Sequence, residues 1–172
     1  MTVEMDHADV LTAKDDNLGQ LGATPTCRRT VVPTDLAARW DNLLRDAGHD
    51  PAVRTMWLAE GLCYYLTTDH VTALAHQAAV LSTPGSLFAA DNFGAGLLRL
   101  PAMADTLHWY ADNGRPPPFC TDEPADLCTA AGWHSATLAY PGAGEVDHRR
   151  LRTGPAVVQD STMRTYLVAA RR

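Results

Sequence analysis

The chain has 172 residues, 46% of them hydrophobic and 20% charged, which suits one soluble domain (residues 1–172) with a single core. A formal charge of -6 argues against a broad nucleic-acid or anionic-membrane surface. The opening Met-Thr-Val-Glu-Met-Asp lacks the basic and apolar regions of a secretory leader, and no apolar run approaches the roughly 20 residues that span a bilayer. Cys27, Cys63, Cys120 and Cys128 form no CxxC pair, so free thiols in a reducing cytoplasm are expected.

Strand-like and helix-like segments alternate, the pattern of an α/β domain. Residues 2–5 read as a short strand. Val10, Leu11, Leu18 and Leu21 suggest one face of a helix closing near Gly19 and Gly22. Thr30 to Pro33 is the next strand, ending at Asp35, and Leu36, Trp40, Leu43, Leu44 and Ala47 follow at helical spacing before Gly48. Thr55 to Ala59 is a strand that ends in the isolated carboxylate of Glu60. Thr67, Thr68 or Asp69 caps the following helix, with Val71, Leu74, Ala78 and Leu81 as its buried stripe.

Pro84-Gly85 marks a turn before a strand over Ser86 to Ala90. A helix around Leu97 to Tyr110 comes next, then Arg115-Pro116-Pro117-Pro118, which excludes regular structure. A short helix over Asp122 to Ala131 carries Pro124 in its first turn. Ala136 to Tyr140 is a strand, residues 141–163 read as a loop, and Tyr166 to Ala170 is the last strand.

Three strand ends carry an acid: Asp6, Asp35 and Glu60. Successive parallel strands project their carboxyl ends to one sheet edge, where ligands of open α/β sheets sit, so these acids are expected to converge there. A carboxylate at the end of a buried strand needs a polar partner, which makes Glu60 a ligand-contact candidate on physical grounds. The plainer alternatives are that Asp35 is a helix N-cap and Asp6 a frayed surface residue.

Other constellations are weaker. Phe93-Gly94-Ala95-Gly96 imitates the start of a dinucleotide fingerprint but lacks its third glycine, and Gly142-Ala143-Gly144 reads as loop. The seven histidines show no metal-ligand spacing, and no serine sits in a G-x-S-x-G elbow. Cys63 suits a small buried position. Tyr64 and Tyr65 suit either a pocket wall or core packing with one hydroxyl bonded.

From about residue 3 to 92 and again from 119 to 172, the chain resembles the leucine carboxyl methyltransferase family, in its bacterial branch of S-adenosylmethionine-dependent O-methyltransferases. The segments that carry the resemblance are Glu4-Met5-Asp6-His7, Arg28 to Leu36, and Trp57 to Leu66 with its Leu-Ala-Glu-Gly-Leu-x-x-Tyr-Leu run. Pro84-Gly85-Ser86, Asp122-Glu123-Pro124 and Ala131-Gly132-Trp133 follow in the same order.

The resemblance implies a Rossmann-like class I methyltransferase sheet with helices on both faces, and S-adenosyl-L-methionine as cofactor with no metal. It implies that Asp6 binds the cofactor ribose, that Asp35 and Leu36 flank the adenine, and that Glu60 lies by the methionine end. The acceptor would be a small molecule or a protein carboxylate. The family's first strand and glycine-rich loop have no counterpart here, so the expected sheet starts at its second strand and the cofactor loses a wall. Two readings stand: an O-methyltransferase represented by an N-terminally incomplete chain, and a non-catalytic remnant that serves as a partner-binding module. Neither the oligomeric state nor a catalytic residue is legible.

Overall fold

A computed structural model describes residues 1–139 and 165–172. The expected loop over 141–163, Tyr140 and the Gly142-Ala143-Gly144 segment lie outside the described residues. The chain divides into two compact units, residues 1–51 and 52–172.

The first unit is a β-α-β turn of chain. Strand β1 (Thr2–Asp6) and strand β2 (Arg29–Pro33) pair in parallel, in a register that sets Asp6 opposite Pro33. Helix α1 (Ala8–Gln20) makes the crossover that parallel pairing demands. The apolar face expected for it is only partly used: Leu11 is buried, whereas Val10 and Leu21 are exposed. Leu18 lies half-buried between these extremes.

The second helix is shorter than its spacing predicts. Residues 36–38 form a turn, and α2 covers only Asp41–Asp46, with Trp40 and Leu44 as its buried anchors. Asp35 explains the delay. Its carboxylate Oδ1 accepts from the Ala37 amide at 2.9 Å and its carbonyl from the Ala38 amide at 3.1 Å, closing a local turn in place of a first helical turn. Gly48, at φ +96°, ends the segment as expected.

The second unit holds a four-stranded sheet in the order β3-β4-β6-β5. Strands β3 (Met56–Ala59) and β4 (Leu87–Phe93) are parallel, while β6 (Thr165–Arg171) runs antiparallel to both β4 and β5 (Ser135–Ala139). Along β4 and β6 every second residue is buried, placing Phe88, Ala90, Tyr166, Val168 and Ala170 in the core.

Helix α3 (Thr68–Val80) matches its sequence closely. The Thr67 hydroxyl caps it by accepting from the His70 amide, and Val71, Leu74, Ala78 and Leu81 are all buried. Helix α5 (Pro124–Ala130) follows from Pro124 at its first turn, and Gly132, at φ +100°, ends it. Trp133 then fills the core, with its ring 5.4 Å from Phe88 and its indole N–H donating to Ala75 O at 3.1 Å.

The stretch expected as one helix from Leu97 to Tyr110 is broken. It forms two 3₁₀ turns, Leu97–Arg99 and Pro101–Met103, before α4 (Ala104–Asp112) begins. Pro101 supplies the break, because it lacks an N–H and disfavours helical backbone at Leu100, which sits at ψ 138°. Among the described residues no helix is long and apolar enough to cross a membrane.

Candidate functional site

In the first unit, Asp6 and Asp35 stand at the same edge of the β1–β2 pair. The Thr34 amide donates to Asp6 O at 2.8 Å, so the chain beyond β2 leaves directly beside Asp6. Each acid has one carboxylate oxygen held by a nearby amide: Asp6 Oδ1 accepts from His7 N at 2.7 Å, and Asp35 Oδ1 from Ala37 N. Those bonds fix side-chain direction and leave the second oxygen of each as an acceptor. Leu36 follows half-buried in the turn.

A separate ion-pair cluster joins β1, β2 and α1. Glu4 accepts from both Lys14 and Arg29, and Arg29 also reaches Asp15 at 2.7 Å. Burial works against the charge on Glu4, but the two cationic donors outweigh it and hold the carboxyl below its usual range.

In the second unit, β3 ends at Ala59, opposite Ala90 of β4, so Glu60 emerges alongside Asp91. The premise that Glu60 terminates a buried strand is corrected here. Only Ala59 of β3 is buried, Met56 and Leu58 are 58% and 67% exposed, and Glu60 itself is exposed. No desolvation penalty therefore drives Glu60 to a partner. Its geometry is the informative part: among the described residues its carboxylate has no hydrogen-bond or ion-pair partner, and the next residue turns sharply, with Gly61 at φ +64°.

Asp91 holds that turn. Its Oδ1 accepts from Gly61 N at 2.8 Å, and its Oδ2 accepts from the Tyr64 hydroxyl at 2.7 Å. The Tyr64 ring packs 4.1 Å from Phe93. Burial, and then the adjacent Asp91 carboxylate, push the Tyr64 phenol well above its ordinary value, so the hydroxyl stays protonated and acts as a donor. Cys63 is 2% exposed, and burial pushes its thiol up to about 12, which suits packing and not nucleophilic attack.

Next to this turn lies a cavity of about 140 Å³ lined by Tyr64, Tyr65, Leu66, Tyr110, Arg115, Pro116 and Pro117. Tyr110 comes from α4 and donates weakly to Tyr64 O at 3.4 Å. The Arg115 amide donates to Tyr110 O at 2.8 Å, closing the helix end through Gly114 at φ +62°. The Arg115 guanidinium lies 5.3 Å from the Trp109 ring centroid. Tyr64 packs with its hydroxyl bonded, and both Tyr64 and the 67% exposed Tyr65 line the cavity.

The Phe93-Gly94-Ala95-Gly96 segment is not a phosphate cradle. The Ala95 amide is occupied by Asp122 Oδ1 at 2.8 Å, and the segment runs into a 3₁₀ turn, not directly into an α-helix. Among the described residues no group of three or more His, Cys, Asp or Glu is placed to hold a metal ion.

The residues that sequence reasoning passed over are Asp91, Tyr110 and Arg115. Asp91 follows the apolar Leu87-Phe88-Ala89-Ala90, so the strand-end rule used for Glu60 applies to it equally. Tyr110 and Arg115 gave no such signal, because the broken helix at Pro101 hides where α4 points.

Residues 1–79 match the family model for leucine carboxyl methyltransferase. A Mycolicibacterium smegmatis protein named "Putative S-adenosyl-L-methionine-dependent methyltransferase" is 44% identical over 92 residues, covering 54% of this chain and 30% of that protein. The chain thus spans about a third or less of the length of the curated relatives it matches. Among solved structures, a duf574 family protein of Streptomyces avermitilis aligns over 99% of this chain and 64% of its own, at TM-score 0.65 and 16% identity. Human N-acetylserotonin methyltransferase, in complex with S-adenosylmethionine, aligns over 99% of this chain and 40% of its own, at TM-score 0.55 and 9% identity. The fold is that of the class I S-adenosylmethionine-dependent methyltransferases.

Proposed function

We propose that residues 1–172, of which 1–79 match the leucine carboxyl methyltransferase model, are part of one S-adenosylmethionine-dependent O-methyltransferase domain of that family. The observation that carries the reading is the Glu60 carboxylate, which has no partner among the described residues and is followed by a turn that Asp91 clamps through Gly61.

The donor and acceptor chemistry fits the cofactor. A free carboxylate suits an ammonium group, and half-satisfied carboxylates suit hydroxyl and amino donors. Glu60 is the proposed contact of the methionine ammonium. Asp6 is the proposed acceptor for ribose hydroxyls, and Asp35 with Leu36 the proposed flank of the adenine. When bound, S-adenosylmethionine supplies an electrophilic methyl group on a sulfonium. The chain's own residues bind and orient: Asp91 fixes the backbone that presents Glu60, and the Tyr64 hydroxyl keeps its proton against Asp91. An ionised carboxylate acceptor needs no general base, and alignment is then the protein's main contribution. The acceptor class is a small molecule or a protein carboxylate, and the proposed setting is the cytoplasm, where four unpaired thiols persist.

The test is calorimetric titration of the chain with S-adenosylhomocysteine. Saturable binding that Glu60→Gln weakens supports the reading. Absence of binding favours the non-catalytic, partner-binding alternative and overturns it.

A further inference from the structure

We propose that the cavity formed by the Cys63–Tyr65 turn and the end of α4 is the acceptor pocket, and that it takes a ring-sized organic carboxylate whose anionic group Arg115 holds. The inference rests on the methyltransferase reading and adds the substrate class. The binding chemistry itself stands on the cavity alone.

Size comes first. A cavity of about 140 Å³ is close to the roughly 150 Å³ that accommodates benzene, so it has room for one six-membered ring. The lining suits a flat ring: Tyr64, Tyr65 and Tyr110 offer aromatic surface, and Leu66, Pro116 and Pro117 complete it with apolar edges. The single full charge among the lining side chains is Arg115. Among the described residues it has no carboxylate partner, only the face of Trp109. A guanidinium over the Trp109 ring keeps its planar fork of N–H donors, from which a carboxylate accepts two side by side.

The same wall argues against other ligands. A cation would face Arg115. A dianionic phosphate would meet one guanidinium and, behind Tyr64, the Asp91 carboxylate, a poor match for two charges. A neutral sugar would need several polar partners, yet the Tyr64 hydroxyl is committed to Asp91 and the Tyr110 hydroxyl points to Tyr64 O, which leaves the Tyr65 hydroxyl and Arg115 among the lining side chains.

The site is also built before any ligand arrives. The Arg115 amide is pinned to Tyr110 O, Asn113 Nδ2 donates to Trp109 O at 2.8 Å, and Pro116 to Pro118 restrict the backbone, with Pro118 and Phe119 buried as an anchor. The cavity shares Tyr64 with the Asp91 clamp, which places it against the segment that presents Glu60.

Tryptophan fluorescence, with Trp109 beside Arg115 as the reporter, tests this with benzoate and its neutral isostere benzamide. The expected result is saturable quenching by benzoate at least tenfold tighter than by benzamide, with the preference lost in Arg115→Gln and partly kept in Arg115→Lys. Arg115 is exposed, so these variants leave the core untouched. Equal affinity for the two ligands, or benzoate binding that Arg115→Gln does not alter, overturns the proposal. S-adenosylhomocysteine titrated into the same samples separates the two readings. Loss of the benzoate preference with cofactor binding intact removes the acceptor class alone. Benzoate selectivity without cofactor binding keeps the pocket and removes the methyltransferase reading.

Discussion

Replacing Asp91 by Ala removes the two hydrogen bonds that shape the turn after β3. The Gly61 N–H, 2.8 Å from Oδ1, is exposed and turns to water, so its loss costs about 0.5–1 kcal/mol. The Tyr64 hydroxyl, 2.7 Å from Oδ2, is only half-exposed and donates to a charged acceptor, a bond in the range of about 1.5–3 kcal/mol. The expected total is about 2–4 kcal/mol, read from urea denaturation with unchanged m-value. A double-mutant cycle with Tyr64→Phe isolates the second bond and should return a coupling of about 1–2 kcal/mol. Burial and Asp91 together hold the Tyr64 phenol above its ordinary 10.0, so Asp91→Ala should also bring its ultraviolet titration down toward that value. A coupling within the roughly 0.3–0.5 kcal/mol expected of independent sites, with an unmoved phenol titration, would refute the clamp.

Two further tests address the core. Cys63 is pushed up from 9.0 to about 12 by burial, with Asp91 and Cys128 adding to it, and Cys128 to about 11 by burial. From pH 9 upward the unfolded chain sheds these protons while the folded chain keeps them, so stability falls as pH rises toward 11–12 and is unaffected by these thiols below 9. The slope contribution is up to about 1.4 kcal/mol per pH unit for each thiol, and Cys63→Ala should flatten it; an identical alkaline slope in wild type and variant contradicts this. Trp133→Ala empties a site that is 1% exposed, loses the ring contact with Phe88 and the bond to Ala75 O, and should cost about 3–5 kcal/mol in urea denaturation. A loss below about 1.5 kcal/mol would mean that the core collapses around the gap.

What was legible in the sequence follows from how local each signal is. Helix α3 was readable because the Thr67 cap and the stripe Val71, Leu74, Ala78 and Leu81 are both set within one segment. The strand ends at Asp6, Asp35 and Glu60 were readable for the same reason. Burial was not, because it is a property of neighbours: Val10, Leu21, Met56 and Leu58 are apolar by sequence yet exposed in the fold. The sequence allows Asp35 to be a nucleotide contact or a cap; its Oδ1 closes a turn, and among the described residues its other oxygen remains an open acceptor. The cavity beside the Gly61 turn is hidden in the sequence because it joins Tyr64 and Tyr65 to Tyr110 and Arg115 across some 45 residues, through a chain path that Pro101 redirects.

The most direct measurement is the affinity of the chain for S-adenosylhomocysteine with and without the Glu60 charge. If Glu60 meets the cofactor ammonium, Glu60→Gln removes a charge-assisted bond of about 1.5–3 kcal/mol, and the dissociation constant should rise about 10- to 100-fold with folding unchanged. An affinity that Glu60→Gln leaves within twofold of wild type, or no binding by the wild-type chain, would contradict the assignment.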